Sequence, residues 1–479
     1  MTQISLQING KEVVAEAGES ILDVAKRIGI EIPTLCYHPL VEPFGACRLC
    51  SVKITKRGRS KVVTACNYPV EDGLIVETNS PEILGIRKML IEFLLARCPT
   101  VKVLQDLAEE YGVGEPRFPK EEETCILCGL CTRICDERVG VSAINFVERG
   151  VDRDREGPLD APLGVDLSET CIGCGACAYV CPTGTIKLGD VYNKIRSSFP
   201  FAAVEERTFG RSRTEDEILG IYRNGYAVRA TDAAVLKKAQ DGGAVTALLG
   251  YALDEGLIDC AVITVADRDW EPSTNVARTY EELKEGSGTK YTFYPSGIGL
   301  IDAVTSGCEH VGFVGTPCQT GGLRRIITSN QPYHIDKGKI KLLMGLFCME
   351  TFTQDLMDYL RQNVLPLEDV KKLDIKGKEL RVYDKEGELH VVPFDDVKDY
   401  GNTGCFTCPD YTAELADISA GSVGSEPGWS TVLTRTDIGE ELLTGARAKG
   451  YVEVIEKVDY KEIERLTKFK RRRADQNRI

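Results

Sequence analysis

Residues 124–135 read TCILCGLCTRIC and residues 170–182 read TCIGCGACAYVCP. The two stretches are an internal repeat, and each spaces its cysteines as Cys-x₂-Cys-x₂-Cys-x₃-Cys. In this type of run the first three cysteines hold one [4Fe–4S] cluster and the fourth crosses over to the other cluster. The spacing therefore predicts two cubane clusters with exchanged ligands. The predicted sets are Cys125, Cys128, Cys131 and Cys181 for one cluster, and Cys171, Cys174, Cys177 and Cys135 for the other.

Composition restricts the function of a chain this long. The 479 residues include 19 Cys and carry a formal net charge of −14, and 43% of them are hydrophobic. Length suggests roughly three domains, and an acidic balance argues against nucleic acid as a partner. No apolar run reaches the ~18 residues of a membrane helix, and MTQISLQ does not resemble a signal peptide. We therefore expect a cytoplasmic protein without membrane insertion, whose cysteines are metal ligands or catalytic thiols.

The first hundred residues indicate a small separate domain. ISLQI-NG-KEVVA predicts a β-hairpin that turns at Asn9-Gly10. Ser20 is expected to cap a helix that ends near Gly29. Four cysteines follow, two of them on a tight loop, which favours a [2Fe–2S] cluster; a four-cysteine zinc site is the alternative. The predicted ligands are Cys36, Cys47, Cys50 and Cys66.

The stretches PTLCYHPLVEPFGACRLCSVKI and TACNYPVEDGLIVET (residues 33–54 and 64–78) resemble a known family. They are similar to the β-grasp [2Fe–2S] domain of the large complex I subunit and of iron-only hydrogenases. That family carries a His and three Cys in the next segment for a further [4Fe–4S] cluster. Here only Cys98 remains and Arg97 stands near the place of the His, so we expect that cluster to be absent. Because four thiolates already complete the site, His38 is interpreted as structural.

The remainder of the chain alternates buried strands, glycine turns and helices. A glycine-rich entry to a helix at Gly242-Gly243 can receive phosphate, but a packing turn explains it equally well. Four further cysteines lie past strand ends or in Gly/Pro loops, where open α/β sheets place ligands. A third [4Fe–4S] cluster is the favoured interpretation, with zinc or a redox-active CxxC as alternatives; Cys260 and Cys308 are read as small buried residues. The four proposed ligands are Cys318, Cys348, Cys405 and Cys408.

Residues 215–460 carry a second resemblance, through GG-x₂-TALL, GTPCQ and CPDYTAELADISAGSVG. These motifs resemble the β-subunit family of coenzyme F420-reducing hydrogenases, which has relatives in formate and F420H2 dehydrogenases. The resemblance implies FAD, a cluster that includes Cys318, and hydride exchange between flavin and a deazaflavin coenzyme. Lys290 is a candidate charge for reduced flavin or coenzyme phosphate, with a solvated Lys as the alternative. The implied flavin-pocket residues are Gly242, Gly243, Thr246, Ser287, Gly288, Thr289, Lys290, Asp417, Ser419, Gly421 and Ser422.

Together these patterns predict an α+β multidomain protein. We expect a β-grasp [2Fe–2S] domain at residues 1–100 with a trailing helical segment to about 118. A bacterial-type two-cluster ferredoxin domain follows at 119–190, and then a linker at 191–214. The last part, 215–479, is expected to be an α/β flavoprotein domain that binds FAD and a [4Fe–4S] cluster.

The predicted function is that of an oxidoreductase subunit that acts within a complex. A hydride carries two electrons and each cluster carries one, so the flavin is the expected junction. Coenzyme F420 would exchange hydride with FAD, and electrons would pass through the cubanes to or from the [2Fe–2S] cluster. The expected partner is a hydrogenase, formate dehydrogenase or heterodisulfide-reductase subunit.

Two alternatives stay open at this point. One is the same flavoprotein using NAD(P)H, a quinone or a ferredoxin, although no strand-linked GxGxxG fingerprint is present. The other is a pure electron-conducting adaptor. The basic stretch KFKRRRADQNR (468–478) is interpreted as a solvated or subunit-docking end.

Overall fold

The computed structural model describes residues 3–156, 170–192, 201–331 and 333–477. The chain divides into two compact units, and the second cysteine motif is split between them after Tyr179. The N-terminal unit comprises Met1–Glu137, Ile144–Arg155 and Val180–Ile186; the C-terminal unit comprises Arg138–Ala143, Glu156–Tyr179 and Lys187–Ile479.

The N-terminal unit contains a mixed five-stranded sheet. The predicted hairpin is confirmed: Ile8 pairs with Lys11 across a turn in which Asn9 and Gly10 have φ of 50° and 80°. β1 also pairs in parallel with β5, so the hairpin joins the rest of the sheet. The order of the strands is β2-β1-β5-β3-β4. Their bounds are β1 Gln3–Ile8, β2 Lys11–Glu16, β3 Ser51–Lys56, β4 Arg59–Thr64 and β5 Leu74–Glu77.

Helices pack on this sheet, and the chain then continues to the first cubane motif, residues 124–135. Ser20 caps the first helix as predicted, because its hydroxyl accepts from the Asp23 N–H and the Asp23 carboxylate accepts from the Ser20 N–H. A short two-stranded sheet and a π-helical turn, Ile134–Arg138, complete the unit. The elements are α1 Ile21–Arg27, α2 Pro81–Arg97, α3 Lys102–Tyr111, α4 Leu130–Arg133, β6 Asn145–Val147 and β7 Asp154–Glu156.

The C-terminal unit is organised around an eight-stranded sheet in the order β10-β9-β11-β12-β16-β17-β8-β18. Its centre, β9-β11-β12-β16, is parallel, and the flanking strands are antiparallel. A separate antiparallel sheet has the order β13-β14-β15. The strands are β8 Asn224–Ala230, β9 Cys260–Ala266, β10 Pro272–Ala277, β11 Val311–Gly315, β12 Ile340–Leu346, β13 Val370–Lys376, β14 Glu379–Asp384, β15 Leu389–Pro393, β16 Ile418–Gly421, β17 Ser430–Thr434 and β18 Val452–Ile455.

The helices of this unit cover the large sheet and support the loops at its edges. Val228, Leu248 and Leu442 are among the residues that form the buried core between helices and sheet. The helices are α5 Ala176–Tyr179, α6 Phe201–Phe209, α7 Ala233–Lys238, α8 Ala244–Asp254, α9 Tyr280–Leu283, α10 Gly299–Thr305, α11 Pro317–Thr328, α12 Asp355–Asn363, α13 Phe394–Val397, α14 Thr403–Thr407, α15 Asp437–Ala448 and α16 Tyr460–Gln476.

The segment expected to be a linker includes packed structure. Helix α6 lies within it, and the buried Glu205 on this helix forms an ion pair with Arg213. Arg213 also pairs with the buried Glu414 of the large domain. Residues 193–200 of the expected linker lie outside the described residues. The remaining part, from residue 201 on, is held to the domain by buried charge.

Two sequence interpretations are corrected by the structure. Cys260 and Cys308 are buried as expected, but they form a disulfide that joins the start of β9 to the loop before β11. The basic stretch near the C-terminus is solvated only in part. It lies in helix α16, where Lys468 and Arg472 are exposed, whereas Lys470 is buried and donates to the Cys348 carbonyl.

Among the described residues, no helix is both long enough and apolar enough to cross a membrane.

Candidate functional site

The first cysteine set forms one buried site in the N-terminal unit. The Cys47 N–H donates to Cys36 Sγ at 3.3 Å. A hydrogen bond from the Cys47 thiol lowers the pKa of Cys36 to about 6, and one from Cys66 lowers the pKa of Cys50 to about 7. The pKa of Cys66 is raised mainly by its hydrogen bond with Cys50 and by burial, and further by the charge of Cys36, so the two pairs share one environment. Four thiols that interact in this way, three of them buried and Cys47 partly so, fit a four-thiolate site.

A buried arginine fixes the loop that carries Cys50. The Arg87 side chain, on α2, is 0% exposed. Its Nε donates to the Leu49 carbonyl at 3.1 Å and its Nη2 to the Ser51 carbonyl at 3.0 Å. Nη1 donates to Asn79 Oδ1 at 2.9 Å. The guanidinium therefore holds the backbone on both sides of one predicted ligand.

Arg133 connects the first cysteine site to the first cubane motif. It lies on α4, between Cys131 and Cys135, and its Nη2 donates to the Cys36 carbonyl at 2.8 Å. Its charge also helps to lower the pKa of Cys36, as a smaller contribution than the Cys47 hydrogen bond. Within the N-terminal unit, the two predicted cluster sites are thus in direct contact through one side chain.

The first predicted cubane set lines a cavity of the N-terminal unit. Cys125, Cys128, Cys131 and Cys181 all border this cavity, together with Phe146. Burial raises the pKa of Cys128 and of Cys131 to about 12, and the neighbouring thiols contribute to the rise of both. Thiols raised in this way need a metal or another cation to ionise. The four residues fit a [4Fe–4S] cluster.

Both cysteine motifs share one unusual loop conformation. Leu127 and Gly129 of the first motif have φ of 52° and 75°, and Gly173 and Gly175 of the second have 72° and 77°. A leucine in the left-handed region costs roughly 1–2 kcal/mol, so it persists only where the surroundings impose it. The repeat in sequence is therefore a repeat in backbone geometry around the cysteines.

The second predicted cubane set is divided between the units. Cys171, Cys174 and Cys177 belong to the C-terminal unit, whereas Cys135 belongs to the N-terminal unit. Burial raises the pKa of Cys171. The shared ligand set stays a prediction from the spacing.

The last four cysteines are brought together beside the parallel sheet. Cys318 follows β11 and Cys348 follows β12, its neighbour in the sheet, while Cys405 lies on α14 and Cys408 just after it. Burial raises the pKa of Cys405, Cys408 and Cys348, to about 11 for Cys408, and the other thiols of the group add to the rise for each. The Thr351 N–H donates to Cys405 Sγ at 3.3 Å, as backbone amides do to cluster thiolates. The group fits a four-thiolate cluster.

Helix α11 links this group to the second cubane motif within the C-terminal unit. Gln319 Nε2 donates to the Cys174 carbonyl at 3.0 Å and lies 3.9 Å from Cys318 Sγ. Arg325 Nη1, on the same helix, donates to the Ile172 carbonyl at 3.0 Å. One helix therefore carries a ligand of one predicted cluster and holds the ligand loop of another.

A cleft of about 510 Å³ opens in the same unit. Four residues of one implied flavin segment line it, Ser287 to Lys290, together with Trp270. Burial lowers the pKa of Lys290 to about 8, and its Nζ donates to the Gly286 carbonyl at 2.6 Å. The cleft lining carries six basic side chains and four acidic ones. The basic residues besides Lys290 are Lys238, Arg268, Lys371, Lys372 and Lys385, and the acidic residues are Asp267, Glu285, Glu368 and Asp369.

The implied flavin residues of α8 are placed mainly by packing. A Cβ on Gly242 would lie 2.4 Å from the Val228 carbonyl oxygen, so this glycine permits a close approach to β8. Gly243 has φ of 69° and precedes the first residue of the helix. Thr246, on α8, reaches Ser287 with the two hydroxyl oxygens 3.0 Å apart. Thr246 is therefore the residue of this group that touches the cleft segment.

The implied flavin residues around β16 have other partners. The buried Asp417 carboxylate binds Arg324 Nη2 at 2.7 Å and accepts from the Leu343 N–H at 2.8 Å. Ser419 Oγ accepts from Arg435 Nε at 3.1 Å. Gly421 packs against a ring, since a Cβ there would lie 2.2 Å from a carbon of Phe347, and Ser422 is exposed. Asp417 and Ser419 thus contribute to the buried polar structure under the sheet.

Comparison with known proteins identifies the family. The chain is 41% identical over 268 residues to the coenzyme F420 hydrogenase subunit beta of Methanothermobacter thermautotrophicus, a match that spans 54% of this chain and 95% of the relative. The chain belongs to the coenzyme F420 hydrogenase/dehydrogenase beta-subunit family. The family's N-terminal part matches residues 225–301 and its C-terminal part residues 308–460.

The N-terminal third of this family member matches two other families. A 2Fe-2S iron-sulfur cluster binding domain matches residues 1–81, and a 4Fe-4S dicluster domain matches residues 124–185. One component of the NADH-quinone oxidoreductase of Rhizobium meliloti is 36% identical over 176 residues, which are 31% of this chain and 20% of that protein. Both sequence resemblances are therefore confirmed at the level of family.

A solved structure supports the assignment of the C-terminal part. A chain of the F420-reducing [NiFe] hydrogenase complex from Methanosarcina barkeri matches with a TM-score of 0.53 and 37% identity, covering 55% of this chain and 94% of that one. This beta-type member is accordingly an oxidoreductase component for electron transfer. It is a multidomain mixed α/β protein with [2Fe–2S] and [4Fe–4S] binding domains.

Sequence reasoning missed three side chains that the fold of this family member places at the sites. Arg87, Gln319 and Lys470 each contact the backbone of a predicted ligand or of its neighbours. Gln319 directly follows Cys318, which was a usable signal. Arg87 lies in the helical sequence EILGIRKML and Lys470 in a basic run, where a cation is ordinarily exposed, so no local signal distinguished them.

Proposed function

We propose that this chain exchanges hydride between coenzyme F420 and FAD, and relays single electrons between the flavin and a partner redox subunit through its iron–sulfur clusters. The observation that carries the proposal is a continuous line of contacts within the C-terminal unit. This line begins at the cationic cleft, passes the four-cysteine group of Cys318, Cys348, Cys405 and Cys408, and ends at the second cubane motif.

The first part of the line joins the cleft to the four-cysteine group. Lys290 lines the cleft, and the Tyr291 carbonyl next to it accepts from the Phe352 N–H at 2.8 Å. Thr351 precedes Phe352 and contacts Cys405 Sγ through its N–H and its hydroxyl, each at 3.3 Å. The segment that lines the cleft is therefore a close neighbour of the loop after Cys348.

The second part leads from that group to the ferredoxin motif. Gln319 spans Cys318 and the Cys174 carbonyl, and Tyr179 of α5 packs edge-on to Tyr294 with ring centroids 5.4 Å apart. Contacts of this kind keep two predicted clusters at a fixed separation, which single-electron transfer requires.

The cleft residues suit a phosphate-bearing cofactor. Cationic side chains stabilise a diphosphate, and Trp270 offers an aromatic face. FAD bound there would supply the conversion between a two-electron hydride and one-electron carriers. The chain's own part would be to hold the cofactor. The half-buried Lys290 ammonium, which donates to the Gly286, Ser287 and Gly288 carbonyls, provides a positive charge, and Thr246 orients the Ser287 hydroxyl.

We further propose that the N-terminal unit is the outlet for electrons. Its five-stranded sheet is interpreted as a β-grasp ferredoxin fold and Arg133 as the bridge between its two cluster sites. The partner would be a hydrogenase, formate dehydrogenase or heterodisulfide-reductase type subunit. The domain limits proposed are 1–100, 119–190 and 215–479.

The test is reduction by candidate donors. The full chain is purified without oxygen, its flavin is identified after denaturation, and absorbance is followed after adding reduced coenzyme F420 or NADH. Bleaching of flavin and clusters by reduced F420 supports the proposal. Bleaching by NADH alone would assign another donor, and a preparation that releases no flavin would leave an electron-conducting adaptor; either result contradicts the proposal.

A further inference from the structure

Helix α16 brings a buried cation to the four-cysteine group. Lys470 is 1% exposed, which is rare for a lysine. Its Nζ donates a hydrogen bond to the Cys348 carbonyl. Once ionised as cluster ligands, Cys408, Cys348 and Cys405 would attract it, followed by Asp410. The ammonium therefore contacts the backbone of one predicted ligand and lies within electrostatic range of two more.

The position of Lys470 is fixed by its neighbours on the helix. Arg473 Nη2 donates to the Met349 carbonyl at 2.9 Å, and Nη1 pairs with Glu350 at 2.8 Å. Arg471 pairs with the buried Glu414 at 2.9 Å. These contacts clamp α16 onto the loop after Cys348, so the amine is held beside the cysteines.

This helix lies at and beyond the end of the family match, which stops at residue 460. Lys470 is therefore a feature of this chain outside the matched region. Leaving a lysine ammonium in a protein interior is costly unless anions surround it. Three thiolates of a metal cluster and one carboxylate are such anions.

We propose that Lys470 is a positioning residue that raises the reduction potential of the cluster held by Cys318, Cys348, Cys405 and Cys408. The inference rests on the proposed function, which supplies that cluster. The two electrons of each hydride would cross this cluster one after the other, each entering from the flavin side and leaving toward the next cluster, with no bond made or broken at the cluster. Reduction adds one negative charge to a group that is already anionic, so a nearby cation stabilises the reduced form more than the oxidised form.

The substitution Lys470→Gln distinguishes the effect of the lysine's charge from the effect of its hydrogen bond. The amide of glutamine can still donate to the Cys348 carbonyl, but it carries no charge. Lys468→Gln is the matched control, because Lys468 is on the same helix with a side chain 53% exposed. Each full-length variant is titrated anaerobically by electron paramagnetic resonance. The signal of this cluster is the one that disappears in Cys348→Ala.

The expected result is a lower potential for that signal alone. We expect the equilibrium constant for one-electron reduction to fall about tenfold in Lys470→Gln, which is about 59 mV for a one-electron couple. Iron content and the other signals stay as in the wild type, and Lys468→Gln changes nothing. An unchanged potential in Lys470→Gln with full iron content overturns the inference.

Two further outcomes are decided by other variants. If Lys470→Gln loses iron, Lys470→Arg shows why: normal iron content and potential in this variant mean that the charge is required, whereas loss of iron there too means that Lys470 only packs and overturns the inference. If Cys348→Ala removes no signal, the cluster itself is absent and the proposed function fails instead. The two failures are thus distinguishable.

Discussion

Arg87 acts on the first cysteine site through backbone alone. It binds the Leu49 and Ser51 carbonyls on either side of Cys50, and no carboxylate pairs with it among the contacts described for it. Hydrogen bonds from a charged donor contribute about 1.5–3 kcal/mol each. Arg87 therefore stabilises mainly the backbone conformation of the loop that carries Cys50.

We expect Arg87→Met to lose the [2Fe–2S] cluster while the cubane clusters remain. The two carbonyls would lose their charged donor, and the ligand loop would lose about 3 kcal/mol of stabilisation. We expect the loop to rearrange as a result. Iron content and the visible circular dichroism of the [2Fe–2S] cluster measure the effect. Lys88→Met, at the exposed next position of α2, should behave like the wild type; retention of the cluster in Arg87→Met would contradict the assigned role.

Lys290 gives the cleft a dependence on pH. Burial lowers its pKa to about 8, so the folded protein loses the ammonium near that pH, whereas the unfolded chain holds it to about 10.4. The unfolded state then binds more protons between about pH 8 and 10.4, so this residue makes stability rise with pH in that window. An anionic ligand favours the charged form, and we expect FAD affinity to fall as pH rises through about 8.

The same residue predicts a mutant phenotype. Lys290→Met should weaken FAD binding about tenfold at neutral pH, or about 1.4 kcal/mol, and remove the step near pH 8. Equilibrium dialysis against FAD measures both. A step that survives in Lys290→Met would assign the titration to a different group of the cleft.

At the scale of elements, α11 combines two tasks. Its first turn carries Cys318, and its buried face holds the loop of residues 172–174 through Gln319 and Arg325. Gly322 is needed for this packing, since a Cβ there would lie 3.0 Å from the Ile172 carbonyl oxygen. On the proposed path, this helix would set the distance between the two clusters.

We expect Gln319→Leu to slow electron transfer from the four-cysteine cluster to the ferredoxin motif without preventing flavin reduction. Leucine fills the space but cannot donate to the Cys174 carbonyl. Stopped-flow spectroscopy with reduced coenzyme F420 should show flavin bleaching at the wild-type rate and cluster bleaching at least tenfold slower. Thr328→Ala, at the far end of α11, is the control; equal cluster rates in both variants would dismiss the bridge.

At the scale of the molecule, the predicted cofactors amount to about 14 irons per chain. If each of the four cysteine groups holds its own cluster, a substitution in one group should remove only the iron of that group. We expect loss of about two irons in Cys66→Ala and about four in Cys181→Ala, Cys135→Ala or Cys405→Ala. Cys98→Ala should lose none, because Cys98 packs among Leu104 and other apolar residues. Zinc in place of iron in the first set, or in the set that includes Cys405, would restore the alternative that spacing left open there.

Several local features of the fold could be predicted from short stretches of sequence. The Asn9-Gly10 turn, the Ser20 cap and the repeated loops at Gly129 and Gly175 depend on residues within a few positions of one another. The hairpin was therefore predictable. The packed helix α6 was not, because Glu205 is stabilised by Arg213 and the distant environment of Glu414 rather than by local propensity.

The sequence by itself determined the families to which the chain belongs and predicted the cysteine sets of the N-terminal part, because ligand spacing on a short loop is a local property of the chain. The fold was needed to bring Cys318, Cys348, Cys405 and Cys408 near one another. Only the tertiary structure showed which cationic side chains bind the backbone next to those cysteines. Lys470 stands far along the chain from Cys348, and Arg87 from Leu49, so no spacing could pair them. A buried charge is stable only beside groups that compensate it, and residues distant in sequence become such neighbours only when the chain folds.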